Sequence, residues 1–225
     1  GQTIVHFSMK DPRNEPSPYE CYFVSNVDYR KLGALNTLPA SLNILYSFEA
    51  AKKIEELIAD TKPDIAHLHN IYHQLSPSII RVLKKHGIPV VMTLHDYKIV
   101  CASYSLLCKG KICEACSKGK YYNCFLRGCV KDSYLKSLLS TVEMYLHHRI
   151  MKIYDMVDIF ISPSLFLKSK LEEMGFRGKV VHLPNYIDIG EFRPSYPATE
   201  RSICYFGRLS PEKGLMTLVN AVKGI

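Results

Sequence analysis

A chain of 225 residues, 47% of them hydrophobic, has room for one large domain or one and a half, and this composition excludes a disordered protein. No apolar run approaches the roughly 18 residues of a membrane-crossing helix, and the opening GQTIVHFSMK lacks the apolar core of a secretory signal. Net charge is +8, and seven basic against two acidic residues between Cys101 and Lys136 supply +5 of it. That suits an anionic partner (a phosphate-bearing substrate, a membrane surface or nucleic acid), although a solvated face explains any single lysine equally well.

Strand and helix patterns alternate along the chain. TIVHFSM reads as a short strand that starts almost at once, as though an earlier part were missing. Residues 39–60 form a helix with Leu42, Leu45, Ile54, Leu57 and Ile58 on one face, ended by TKPD. DIAHLH is a second strand. Ser76 and Pro77 open the next helix as N-cap and first residue, and Gly87 closes it. PVVMTLH is a third strand, apolar nearly throughout, as expected when both faces are covered. A cysteine-rich segment interrupts the rhythm. A long helix then starts at Ser133, with Leu135, Leu138, Leu139, Val142, Leu146 and Ile153 at helical spacing. IFIS is a strand, Ser164 caps a helix that stops at Gly175, and KVVHLP is a further strand. NYIDIGEFRPSYPATE has no periodicity, and ICYFG begins the pattern again.

Repeated strand–helix–strand units predict an α/β fold, a Rossmann-like parallel sheet with helices on both faces. The expected organisation is one nearly complete domain over residues 1–184, a linker over 185–200, and the start of a second domain over 201–225. Ligands of such sheets gather at the carboxyl ends of strands. The residues found there are His67, His69 and Asn70, then His95 and Asp96, then Ser162 and Ser164, and last Gly207 and Arg208. His67 and His69 share a strand face and, with His73 nearby, could bind zinc. His67 packed inside the fold is the plainer reading.

Gly207 allows a sharp turn, and Pro211 is placed to begin a helix whose N-terminus suits phosphate, with Arg208 and Lys213 on either side. A surface turn with its charges facing water fits the same residues, since neither a Walker pattern nor GxGxxG is present. GRLSPEKG, preceded by LPNYIDIGEFRP and by KPDIAHLHNIYHQLSP, VVMTLHDYKIVC and DIFISPSLFLKSKLEEMGF, closely resembles the family-4 glycosyltransferases of the GT-B fold. The resemblance covers nearly the whole chain. It implies two Rossmann-like domains facing across a cleft, the first receiving the acceptor and the second a nucleotide-sugar. It also implies that Gly207, Arg208 and Lys213 bind the donor diphosphate, that His95 reaches the donor sugar as the catalytic histidine, and that His69, Asn70 and Asp96 line the acceptor side. The first strand with its Gly-rich loop, and the pair of donor-binding glutamates of the second domain, are missing from the pattern. The chain therefore reads as a fragment, inactive in transfer by itself.

The segment CASYSLLCKGKICEACSKGKYYNCFLRGC holds six of the eight cysteines. Without a secretory signal, a reduced, cytoplasmic protein is expected, and clustered cysteines then pose a metal question. Cys113-x-x-Cys116 with Cys101 and Cys129 could close a tetrahedral, structural zinc site that pins a loop of about 30 residues. Free buried thiols, a Cys113–Cys116 redox pair and an iron–sulfur cluster are the alternatives. No catalytic cofactor is expected. The leading functional expectation is a retaining hexosyltransferase that passes a sugar from a nucleotide-sugar to a glycan or lipid-linked acceptor in cell-surface polysaccharide or glycolipid synthesis. It would work in the cytoplasm or at the inner face of the membrane, with Tyr121, Tyr122 and nearby lysines meeting the acceptor. The competing expectations are a nucleic-acid-binding protein with a basic zinc knuckle, disfavoured by the strand–helix units around it, and an inactive transferase-like subunit.

Overall fold

A computed structural model describes residues 1–26, 43–72, 74–193, 203–210 and 213–223. The chain divides into two compact units, Gly1–Asn185 and Tyr186–Ile225.

The first unit is built on a four-stranded, fully parallel sheet in the order β1 (Ala66–His69), β2 (Val90–Thr93), β5 (Ile159–Ser162) and β6 (Val180–His182). Helix α1 (Phe48–Thr61) precedes β1, α2 (Ser78–Lys85) joins β1 to β2, and α5 (Leu165–Glu173) joins β5 to β6. This is the Rossmann-like α/β arrangement that the alternating pattern predicts. Hydroxyl caps set the helix starts. Ser47 Oγ accepts from Ala50 N–H at 3.1 Å and Ser164 Oγ from Leu167 N–H at 3.1 Å. Gly87 and Gly175 end α2 and α5 in the left-handed conformation.

The apolar periodicity of α1 and α2 is satisfied inside the fold. Ile54, Leu57 and Ile58 of α1 and Ile79, Ile80 and Leu83 of α2 pack with Val90 and Met92 of β2 and Phe160 of β5. Each such side chain stabilises the fold by about 1.5–3 kcal/mol relative to exposure. Val90 and Met92 are fully covered, as the run PVVMTLH requires of a central strand.

Three local expectations are corrected. Residues 3–9 form no strand, and the segment is tied to its neighbour by one parallel bridge from Met9 to Val24. Ser47 interrupts the helix expected over 39–60 and caps a new one, with residues 39–42 outside the described region. Residues 203–207 form no strand, and the nearby helix α6 (Leu215–Val222) opens at Gly214, with Pro211 outside the described residues.

The cysteine-rich segment folds as a small hairpin, β3 (Leu107–Cys108) with β4 (Lys111–Ile112), a 3-10 turn over Ser117–Gly119, and the short helix α3 (Tyr122–Arg127). Six of its residues and immediate neighbours adopt left-handed backbone without being glycine: Tyr104, Leu106, Lys109, Lys118, Lys131 and Asp132. Helix α4 (Tyr134–Tyr145) packs against it and runs on into a π-helical turn at Leu146–Ile150.

Helix α4 is inverted relative to α1 and α2. Leu135 is 76% exposed, and Leu138 and Val142 also face solvent. Its inner side carries Ser137, Thr141, Glu143 and Met144. The reason is the partner it holds. Ser137 Oγ accepts from Val130 N–H at 2.9 Å, and Thr141 Oγ1, which donates to Ser137 C=O at 2.7 Å, also lies 3.3 Å from Tyr121 C=O. An irregular segment offers backbone groups that need polar partners, so a polar face turns inward.

Candidate functional site

The parallel register of β1 and β2 pairs Ala66 with Val90 and His69 with Thr93. Strand alternation puts Leu68 into the core and His67 and His69 together on the other face. His95 follows two residues beyond Thr93, just after Leu94 N–H makes its ladder bond to Ile161 C=O. The three histidines form a stack at the carboxyl edge of the sheet. Ring centroids of His67 and His69 lie 4.2 Å apart, and those of His69 and His95 lie 5.2 Å apart. His67 Nε2 contacts Thr93 Oγ1 at 2.7 Å, and His69 Nδ1 bonds to His95 Nε2 at 2.9 Å.

Burial, reinforced by the neighbouring imidazoles, pushes the pKa of His67 and of His69 below the ordinary histidine value. The bond between His69 and His95 carries a single proton, because two facing N–H groups cannot bond. The pair thus couples the two tautomers: a proton on His69 Nδ1 makes the outer His95 Nδ1 of a neutral ring a donor, whereas a proton on His95 Nε2 makes it an acceptor. His67 is exposed on its strand face and is not packed inside, because Leu68 takes the inward position. His73 lies outside the described residues.

Asn70 leaves β1 in left-handed backbone, which asparagine tolerates, and its side chain is exposed. Asp96 Oδ1 accepts from Lys98 N–H at 2.8 Å, which fixes the turn after His95. Lys98 itself goes inward. Its Nζ donates to Glu143 Oε2 of α4 at 2.7 Å in a pair that is almost wholly buried. Sequence reading passed over this pair, since 45 residues separate its members and neither lies at a strand end. The His95 turn is thereby tied to α4.

In the second unit, Gly207 has φ of 150°, and a Cβ there would meet the Tyr205 hydroxyl at 3.1 Å. Tyr205 Oη donates to Arg208 C=O at 2.9 Å, and Lys213 N–H donates to Ser210 C=O at 3.0 Å. Pro211 and Glu212, between Arg208 and Lys213, lie outside the described residues.

The cysteine segment gathers its thiols loosely. Cys101, Cys116 and Cys124 are buried, and Cys108, Cys113 and Cys129 are half-buried. Burial, then the nearby Cys101, Cys124 and Cys113, pushes the Cys116 thiol up to about 12. Burial, with a hydrogen bond to Cys108, likewise raises Cys129. Arg127 Nη1 reaches Cys113 Sγ at 3.6 Å. Among the described residues, no three His, Cys, Asp or Glu side chains converge on a point that could hold a metal ion. Cys101, Cys113, Cys116 and Cys129 stand as free thiols.

No helix among the described residues is long and apolar enough to cross a membrane. No solved structure matches the chain. A protein described as "Uncharacterized 42.6 kDa protein in cps region", from Klebsiella pneumoniae, is 26% identical over 172 residues, which is 76% of this chain and 40% of that protein. The chain thus spans about two-fifths of that relative's length. The model of the family described as Glycosyltransferase Family 4 matches residues 5–191, from the N-terminal segment past the last strand of the sheet. With the parallel sheet and its histidine-bearing edge inside that match, the chain belongs to glycosyltransferase family 4.

Proposed function

We propose that this chain is the acceptor-side domain, with the beginning of the donor-side domain, of a retaining hexosyltransferase. It moves a sugar from a nucleotide-sugar to a glycan or lipid-linked acceptor in surface polysaccharide synthesis. The observation that carries the reading is the His69–His95 bond at the carboxyl edge of a family-4 sheet, where ligands of such sheets collect. The relative described as lying in a cps region supports the polysaccharide context.

His95 supplies a hydrogen bond to the transferring sugar, with its tautomer set by His69. His69, Asn70 and Asp96 face the acceptor. Arg208 and Lys213 neutralise the donor diphosphate and so stabilise the charge that builds on the leaving nucleotide. The exposed Leu135, Leu138 and Val142 of α4, with Lys131 and Lys136 beside them in sequence, suit the cytoplasmic surface of a membrane that carries the acceptor. Structural zinc is the role proposed for the cysteine segment. Binding would draw Cys101, Cys113, Cys116 and Cys129 closer than they stand and would ionise Cys116 against its raised pKa. Zinc content of the purified chain, read by mass spectrometry of the metal, decides this.

The test of the transferase reading is an assay of the gene's complete product. A panel of nucleotide-sugars is offered together with a polyprenyl-diphosphate-linked sugar, and the products are read by mass spectrometry. A product one hexose heavier, lost in His95→Ala, supports the reading. A complete product that neither binds nor consumes any nucleotide-sugar refutes it.

A further inference from the structure

The entries to β5 and β6 border a concavity. A cavity of about 750 Å³ is lined by residues that enter β5 and β6, by the end of the π turn after α4, and by the Ser117–Gly119 turn of the cysteine segment. It therefore borders the amino ends of β5 and β6, and Ile99 and Val100, which follow the His95 turn, complete its wall.

Its wall is cationic. Lys118, Arg149, Arg177 and Lys179 line it, against a single carboxylate, Asp155. None of the four cationic side chains has an ion-pair or hydrogen-bonded partner among the described residues. Like charges gathered around a concave surface repel one another and focus a positive potential into the space between them. An anion there relieves both effects.

The cations are seated by backbone. Lys118 N–H donates to Met174 C=O at 2.7 Å, which joins the cysteine segment to the end of α5. Gly175, at φ of +86°, has no Cβ to push Lys118 away: one would stand 3.1 Å from Lys118 Cγ and 3.3 Å from its Cα. At Gly119, φ of +76°, a Cβ would fall 2.7 Å from Arg149 Nη2, so the guanidinium rests in space that only glycine leaves.

His148 packs between Tyr121 and Tyr154 in the cavity wall, at centroid distances of 5.4 and 4.7 Å, with its Nε2 covered. Burial, with His147, Lys98 and Arg149 nearby, holds this imidazole neutral down to a pKa of about 3, so the cavity's positive charge comes from the lysines and arginines.

We propose that this cavity is a phosphate-binding site, in which Lys118, Arg149, Arg177 and Lys179 grip a phosphate or diphosphate group. The group is borne either by a lipid headgroup or by a soluble phosphate. The chemistry required of the site is the same, with guanidinium forks and ammonium groups on phosphoryl oxygens.

The experiment titrates the 225-residue chain with inorganic pyrophosphate by calorimetry and, separately, floats it with phosphatidylglycerol-containing vesicles. Saturable one-to-one pyrophosphate binding is expected, weakened about tenfold to a hundredfold in the Arg149→Gln/Arg177→Gln double variant. A Lys10→Gln/Lys111→Gln double variant changes net charge equally at other exposed lysines and is expected to bind as the parent does. If the parent floats with vesicles, the arginine variant does not and pyrophosphate releases the parent, the ligand is a lipid headgroup. If pyrophosphate binds and the arginine variant floats as the parent does, or neither floats, the ligand is soluble. Absence of saturable binding to both probes overturns the proposal, as does equal weakening in the two double variants. No readout involves sugar transfer, so failure here is distinct from failure of the transferase reading.

Discussion

At the carboxyl edge of the sheet, the functional side chains are imidazoles, and burial and mutual proximity suppress the charge of His67 and His69. At the amino ends of β5 and β6, Lys118, Arg149, Arg177 and Lys179 line an open cavity. The histidines sit on β1 and just beyond β2, whereas the cavity borders the entries to β5 and β6, so different strands and connections supply the two places. The β1–β2 register sets His69, the last residue of β1, within bonding distance of His95. The cysteine segment, the π turn after α4 and the short connection from α5 into β6 bring the four cations together. A group that must hand a hydrogen bond to a reacting sugar needs an adjustable proton, whereas a group that holds an anion needs fixed charge.

The link between the two regions is the most severe place to break the comparison. Lys98 leaves the His95 turn and pairs with Glu143 on α4, the helix that leads to Arg149. Lys98→Met should destabilise the fold by about 3–5 kcal/mol in urea unfolding, because it strands a buried carboxylate. Lys98→Met combined with Glu143→Leu should recover most of that loss. If the single variant is as stable as the parent, the pair does not join the two regions.

Next in size is His95→Ala, expected to lower transfer by the complete product by about a hundredfold to a thousandfold with little change in stability. Loss of stability in place of loss of rate would make His95 a packing residue and erase the chemical difference between the two regions.

Acid sharpens the comparison from another side. The folded state holds the His148 pKa near 3, below its ordinary 6.5, so in that interval the unfolded chain binds a proton that the folded chain refuses. This contribution to stability is intact above about pH 6.5 and is lost as pH falls toward 3, by up to about 1.4 kcal/mol per pH unit. His67, His69 and His147, also lowered chiefly by burial, add slope of the same sign. Unfolding measured across that range should show a shallower acid limb in His148→Phe, and an unchanged limb would remove His148 as its source.

The smallest effect on stability is expected on the outer face of α4. Leu135→Gln and Val142→Gln should shift unfolding by no more than about 0.5 kcal/mol, since both side chains already face water. Vesicle flotation should nevertheless weaken if that face meets a membrane.

The sequence made the sheet legible because its strands are short apolar runs bounded by turn residues and Ser164 is a direct cap signal. It also placed His69 and His95 at strand ends. What it could not show was how they meet, because the β1–β2 register decides that, and register is a long-range quantity. The helix from Ser133 shows the same limit in reverse. Its leucines have the spacing of a buried face, yet Ser137 and Thr141 turn inward, because what they hold is backbone, which has no signature in side-chain periodicity. Arg149, Arg177 and His148 gave no local signal at all. Distant segments and two glycines bring them together.

Three of the six left-handed, non-glycine positions in and beside the cysteine segment are lysines: Lys109, Lys118 and Lys131. Left-handed backbone costs a residue with a Cβ about 1–2 kcal/mol, and glycine escapes that cost. Positive charge is thus kept at points where conformation alone would select glycine. Shape and charge can be pulled apart there: Lys109→Gly and Lys131→Gly ease the backbone while discarding the ammonium. A segment that grows sturdier but poorer at its task after such changes has been held in a tense conformation for the sake of its charge.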